Sequence, residues 1–394
     1  MKLEKKHTMV MFKKVLVTAF LVIVILSIVN LKLHSSRVLL GTAEIKSFEK
    51  SIVPVDYNGP IKVYDTFDKP FPCVSEANWM DKQTTPSKEG LLFLRELKVA
   101  SSTMAGVILR IAKRKGQELL NGPYCKVRVT HGSGQKFQYK ERNKDKSFLF
   151  SLLRDPTKRA ISHFFFFRAS INSVPPTDQN FMQFAKQSTN YYVKDLALRP
   201  GVKKTLDAAD LASENNDTSA YDVMVQRILD DYDFIGITER LDESMVVFKL
   251  LLNLELSDVL YMSAKGTDQF IHAPSRDEQC LRQVPSFLTP GMEEYFASES
   301  WQKSIAADMA LYRAAWASLD RTIDSLGRKK FEVELSEFRL LLQEAQEYCK
   351  SRYLDYCDDQ GEVRTNTTGC VLWHLGCGND CLDEFSSQYR MKKL

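Results

Sequence analysis

Three short apolar runs in this chain each lead through a polar loop into a stretch with helical spacing. Leu91–Leu94 is followed by a loop and then by Met104 to Lys115, and Ser147–Leu153 by Arg154-Asp-Pro156 and a helical stretch through Phe167. Phe234–Ile237 leads through Thr238 into a helix from about Leu241 to Leu252. Apolar runs this short, bounded by turn residues, read as strands buried on both faces. Strands that alternate with helices predict an α/β fold, a central parallel sheet flanked by helices. Asp155 is a good helix cap and Pro156 suits the first helical position. Further helices are expected over Trp301 to Leu326 and Phe331 to Cys349, and no internal repeat or low-complexity tract interrupts the pattern.

Upstream of this region lie lysines, including Lys13 and Lys14, and then an uncharged run from Val15 to Leu31. At about 1.5 Å of rise per residue such a run just crosses a thin bilayer. The lysines precede it, so the positive-inside rule keeps residues 1–14 in the cytosol and sends the rest of the chain across. No small-residue cleavage site follows, which favours a type II signal anchor over a cleaved signal peptide. Residues 32–88, broken by five prolines, read as a luminal stem and domain entry, and residues 89–345 as the main globular domain. All eight cysteines lie beyond the anchor. An even number fits an oxidising lumen with up to four disulfides. The tail, 346–394, holds five of them at spacings of seven, twelve, six and three residues, which match no standard zinc site even with His374 nearby. Asn216 and Asn366 head two N-glycosylation triplets.

The formal charge of only +4 over 394 residues is no polyanion-binding signature and argues against a nucleic-acid partner. Basic chemistry must be local, and two loops supply it where a strand meets a helix, the place where open α/β sheets bind ligands. The first, Arg95-Glu-Leu-Lys-Val-Ala-Ser-Ser-Thr103, offers a lysine, three hydroxyls and the free N–H groups of a helix start, a set suited to phosphate or sulfate. It lacks the glycines and the Gly-Lys-Ser/Thr ending of a Walker A loop. The second, Arg154-Asp-Pro-Thr-Lys-Arg159 followed by Ser162, can close on a second phosphate.

With these two loops about 55 residues apart, the sequence resembles the Golgi membrane-bound carbohydrate sulfotransferases that use 3′-phosphoadenosine 5′-phosphosulfate, most of all the uronyl 2-O and galactose-3-O types. The resemblance rests on Lys98-Val-Ala-Ser-Ser-Thr103, on Arg154 through Ser162, and on Phe234-Ile-Gly-Ile-Thr-Glu-Arg-Leu-Asp-Glu-Ser244, and covers roughly residues 90 to 255. It implies a P-loop-like sulfotransferase fold. It also implies that Lys98 contacts the oxygen bridging phosphate and sulfate, that Lys98, Val99, Ala100, Ser101, Ser102 and Thr103 hold the 5′-phosphosulfate, and that Arg154 and Ser162 hold the 3′-phosphate. No metal is required by such a transfer. The acceptor would be a glycan hydroxyl in the Golgi lumen, and a homo-oligomer is left open.

The acceptor hydroxyl needs a base. His131, in Arg128-Val-Thr-His-Gly-Ser-Gly134, stands where the uronyl group has a catalytic His-Gly-His; here Ser133 replaces the second histidine. Imidazole has a suitable pKa. Glu96 is the second candidate, while His163 is expected to pack or cap beside Ser162. The basic run Lys136 to Lys146 reads as an exposed loop or an acceptor guide, and Phe164–Phe167 as core with outward members beside the acceptor. Two rival classes stay open: a luminal kinase or nucleotide hydrolase, which needs the missing Walker A loop, and a non-catalytic glycan-binding membrane protein.

Overall fold

The computed structural model describes residues 57–76, 87–122, 124–212, 219–262, 270–273, 279–352, 357–358, 360–363 and 379–393. The expected anchor at 15–31, both glycosylation triplets, His374, Cys370 and Cys377 lie outside the described residues. Among the described residues no helix is long and apolar enough to cross a membrane.

The strands are β1 (Ser75–Glu76), β2 (Gly90–Leu94), β3 (Tyr124–Cys125), β4 (Val127–Thr130), β5 (Ser147–Leu153), β6 (Phe234–Ile237), β7 (Phe270–Ala273) and β8 (Gln279–Arg282). The helices are α1 (Ser101–Leu120), α2 (Pro156–His163), α3 (Asp178–Ala185), α4 (Tyr191–Leu196), α5 (Val202–Ala212), α6 (Asp222–Asp231) and α7 (Leu241–Leu251), followed by α8 (Pro290–Ala297), α9 (Glu299–Ser304), α10 (Ala306–Leu326), α11 (Arg328–Cys349) and α12 (Asn379–Lys393). A π-helical turn, Phe164–Ile171, continues α2.

Four parallel strands form the central sheet in the order β4-β2-β5-β6. Every residue of β2, β5 and β6 is buried, as expected for strands covered by helices on both faces. Chain order reverses between β2 and β5, so the crevice at their carboxyl ends is the topological switch point where such sheets take ligands. Gly90 opens β2 at φ +91°, and a Cβ there would sit 2.3 Å from the Lys126 carbonyl oxygen. Only glycine permits that approach of β2 to β4.

Around the sheet, α10 and α7 pack on β6, α11 packs on α7 and α10, and α12 lies on α1 and α11. The entry segment joins this body through Lys62 N–H to Ser318 Oγ, 2.9 Å, and Tyr64 N–H to Thr322 Oγ1, 3.0 Å. Disulfides link Cys73 to Cys125, Cys280 to Cys357 and Cys349 to Cys381, so the described tail cysteines are bridged rather than arranged as metal ligands. The buried Arg110 guanidinium clamps α12 to α1, donating to Asp383 Oδ1 at 2.8 Å, Leu260 O at 2.7 Å and Ser386 Oγ at 3.0 Å.

The stretch expected to be helical through Phe167 is helical, as α-helix to His163 and as π-helix from Phe164 to Ile171. Two expectations need correction. The helix expected over Trp301–Leu326 breaks at Ile305, which ends α9 and caps α10. The helix after the first loop starts at Ser101 rather than Met104, placing Ser101, Ser102 and Thr103 in its first turn.

Candidate active site

The loop from Arg95 to Ala100 leaves β2 at the switch point. Its shape comes from two non-glycine residues in the left-handed region, Lys98 at φ 67° and Ala100 at φ 59°. Such residues are uncommon and persist where the surroundings over-determine them. Here those surroundings are the ends of the other three strands. The Arg95 N–H donates to Thr130 O at 2.7 Å, and the Arg95 carbonyl accepts from His131 Nδ1 at 2.7 Å, both from the end of β4. The Lys98 carbonyl accepts from Arg154 Nη1 at 3.3 Å, beyond β5, and the Val99 carbonyl from Thr238 Oγ1 at 3.0 Å, beyond β6. Ala100 caps α1 without a side-chain acceptor, so the first-turn N–H groups are not satisfied by a cap.

Side-chain charge in the crevice is one-sided. Arg95, 7% exposed, donates from Nη2 to Ser102 Oγ at 2.7 Å and from Nε to Ser101 Oγ at 3.4 Å, and burial pushes its guanidinium down to about 10. Burial, with Arg154 nearby, pushes the Lys98 ammonium down to about 8. Among the described residues no carboxylate lies within ion-pair distance of Arg95, Lys98 or Arg154. Desolvated cations without acids are costly to a fold. A polyanion bound beside Lys98 and Arg154 would compensate the ammonium, with the N–H groups of α1 adding the positive end of a helix dipole.

The second loop is held as firmly. Tyr192 brackets Arg154, its hydroxyl accepting from the Arg154 N–H at 3.2 Å and donating to the Arg154 carbonyl at 2.9 Å. Tyr192 is placed in turn by Asp308, whose carboxylate accepts from the N–H groups of Tyr192 and Val193 at 3.0 Å each. Asn190 returns the capping: its Oδ1 accepts from Ala307 N at 3.1 Å and Asp308 N at 3.3 Å. Asp155 Oδ1 accepts from Lys158 N at 2.8 Å and starts α2, on which Ser162 stands half-buried.

His131 is exposed at the mouth of the crevice, in a turn held by the Gly134 N–H donating to Asp195 O at 2.7 Å. Its Nδ1 faces a carbonyl and therefore carries the hydrogen, which makes Nε2 the proton-accepting nitrogen of the neutral ring. Ser133, in place of a second histidine, accepts from Lys136 N at 3.3 Å and serves the turn. Glu96, by contrast, is 1% exposed beneath the loop, and burial, reinforced by Asp195, holds its carboxyl well above the usual range. It is hydrogen-bonded to Tyr191, and its Oε2 has no partner. Glu96 thus lies in the floor, whereas His131 stands exposed at the mouth. His163 packs between Phe167 and Phe184, at ring distances of 4.9 and 5.2 Å.

Two features escaped the sequence reading. Arg95 was visible only as the first letter of the loop. Phe166, in an aromatic run expected to be core with outward members beside the acceptor, lies with its ring centroid 3.7 Å from the Lys98 Nζ. The basic run Lys136–Lys146 is partly structural: Phe137, Tyr139 and Arg142 are buried, and Arg142 pairs with Asp233 at 2.9 Å.

A family profile described as galactose-3-O-sulfotransferase matches residues 125–367. The match includes the His131 turn, Arg154 through Ser162 and Phe234 through Ser244, and begins after the Lys98 loop. Galactose-3-O-sulfotransferase 2 of Sus scrofa is 24% identical over 299 residues, covering 67% of this chain and 69% of that protein. No solved structure matches. A profile that takes in well over half of the chain, on an α/β sheet with its basic crevice at the switch point, settles the assignment: the chain belongs to the galactose-3-O-sulfotransferase family.

Proposed function

We propose that this protein transfers the sulfuryl group of 3′-phosphoadenosine 5′-phosphosulfate to a glycan hydroxyl. The observation that carries the reading is the Lys98 ammonium and the Arg154 guanidinium brought together at the switch point, with no carboxylate in ion-pair distance of either among the described residues. The donor supplies an activated sulfuryl group on a phosphate leaving group. Lys98, Val99, Ala100, Ser101, Ser102 and Thr103 hold its 5′ end, and Arg154 and Ser162 its 3′-phosphate. His131 Nε2 takes the proton of the acceptor hydroxyl as its oxygen bonds to sulfur and the bond from sulfur to the bridging oxygen breaks. Lys98 offsets the charge that grows on the departing phosphate, an electrostatic contribution of the kind fixed cations make in dry sites.

The family and the Sus scrofa relative point to a galactose 3-hydroxyl as the acceptor to try first. The lysine-flanked apolar run at 15–31 supports a Golgi type II membrane protein with a luminal catalytic domain. Thermal unfolding of the full-length chain with 3′-phosphoadenosine 5′-phosphate, or with ATP and magnesium, tests the donor. A ligand that binds only the native state raises the midpoint by mass action. The bisphosphate should raise it; an increase with ATP and magnesium alone would favour a nucleotide-hydrolysing enzyme.

A further inference from the structure

The Lys98 ammonium has neither an ion pair nor a hydrogen-bond acceptor among the described residues; what it meets is the face of Phe166, with 3.7 Å from Nζ to the ring centroid. That ring is 4% exposed, so the contact is desolvated, the setting in which a cation over an aromatic face gains most. Phe166 does not belong with its neighbours. Phe164 and Phe165 enter the cluster of Phe181, Phe296 and Trp301, whereas Phe166 sits with Ile171 and Ile271, against Phe167 and Leu281. The wider π turn at Phe164–Ile171 separates the two directions, and such turns recur at functional sites. Behind the ring, the β7–β8 hairpin is fixed by the Cys280–Cys357 disulfide. Ahead of it in the chain, α2 carries Ser162, with Arg154 just before its cap.

We propose that Phe166 is a positioning residue for sulfuryl transfer, its ring face holding the Lys98 ammonium in the donor crevice. It rests on the reading of Lys98 as the donor's lysine. The charged and titratable groups near this ammonium are Arg154, which repels it, and His163, which burial pushes down to about 3 and which is therefore neutral. The ring thus supplies the local counter-charge until the donor arrives. Because Phe166 continues the helix that bears Ser162, the hold on Lys98 and the second phosphate site share one rigid piece.

The test uses the full-length chain with Phe166→Leu, Phe166→Tyr, and mono-, di- and trifluorophenylalanine at 166, which withdraw the ring's negative face at nearly constant size. Tyrosine should keep kcat within about twofold, and leucine should lower it by about ten- to thirtyfold, the range expected for a desolvated cation–π contact. Successive fluorines should lower kcat stepwise with an unchanged unfolding midpoint, and move the alkaline limb of the kcat/KM profile to lower pH. A kcat that stays flat across the fluorine series, with 3′-phosphoadenosine 5′-phosphate still bound in calorimetry, overturns the proposal, and the series decides even where leucine does not fold. Failure of the unsubstituted chain to bind the bisphosphate overturns instead the donor-site reading on which it rests.

Discussion

Burial and the neighbouring Arg154 guanidinium hold the Lys98 ammonium at a pKa of about 8, below the ordinary lysine value of 10.5. The folded pKa lies below the unfolded one. Between about pH 8 and 10.5 the unfolded chain therefore binds more protons, stability rises with pH through that window, and below it the penalty of the buried charge is fully present. Lys98→Met should raise the stability of the ligand-free protein by about 1–3 kcal/mol at pH 7 and flatten that rise, read by denaturant unfolding across pH. The same substitution should lower turnover by about a hundredfold or more. His131→Ala is expected to separate differently, lowering kcat by about 10²–10⁴-fold with the affinity for 3′-phosphoadenosine 5′-phosphate unchanged. Loss of affinity with kcat retained would place His131 among the donor's contacts instead.

The proposed donor site depends on segments well away from its two loops. Asp308 caps α4, α4 delivers Tyr192, and Tyr192 fixes the Arg154 backbone. Tyr192→Phe removes both hydrogen bonds to Arg154 and should weaken binding of the bisphosphate several-fold while costing about 1–2 kcal/mol of stability. Adenosine 5′-phosphosulfate, which lacks the 3′-phosphate, should bind the variant and the unsubstituted protein alike. Equal losses for both ligands would show a collapsed crevice rather than a misplaced Arg154. The sequence displayed parts of this arrangement and hid others. Strands β2, β5 and β6 were legible because strands buried on both faces are short unbroken apolar runs, and α2 because Asp155 and Pro156 mark its start. Strand β4 was not, since Arg128 interrupts four residues at the sheet's edge. The π turn has no periodic signature within four phenylalanines, so the ring that meets Lys98 was indistinguishable from core. The Asn190–Asp308 cross-capping joins residues more than a hundred positions apart, a relation no local pattern can carry.

Across the whole molecule the candidate site is one end of a sheet in which three strand ends each send a group to the loop that leaves the fourth, while disulfides and a buried arginine hold the periphery. Cys349–Cys381 staples the end of α11 to α12, and Arg110 seats α12 on the helix that follows the Lys98 loop. Cys381→Ser should destabilise the protein by about 2–4 kcal/mol, the usual range for a native bridge, seen as a lower midpoint in non-reducing thermal unfolding. The small net charge predicted a local basic site, and the proposed one centres on Lys98 and Arg154; the family match begins beyond Lys98, so the role proposed for that residue has to be tested directly. The most direct test is transfer of labelled sulfate from 3′-phosphoadenosine 5′-phosphosulfate to a galactose-terminated oligosaccharide by the full-length chain, beside a folded Lys98→Met variant. Labelled product from the first and none above background from the second is the predicted result; equal transfer by both, or product from neither with any galactose-terminated acceptor, would contradict it.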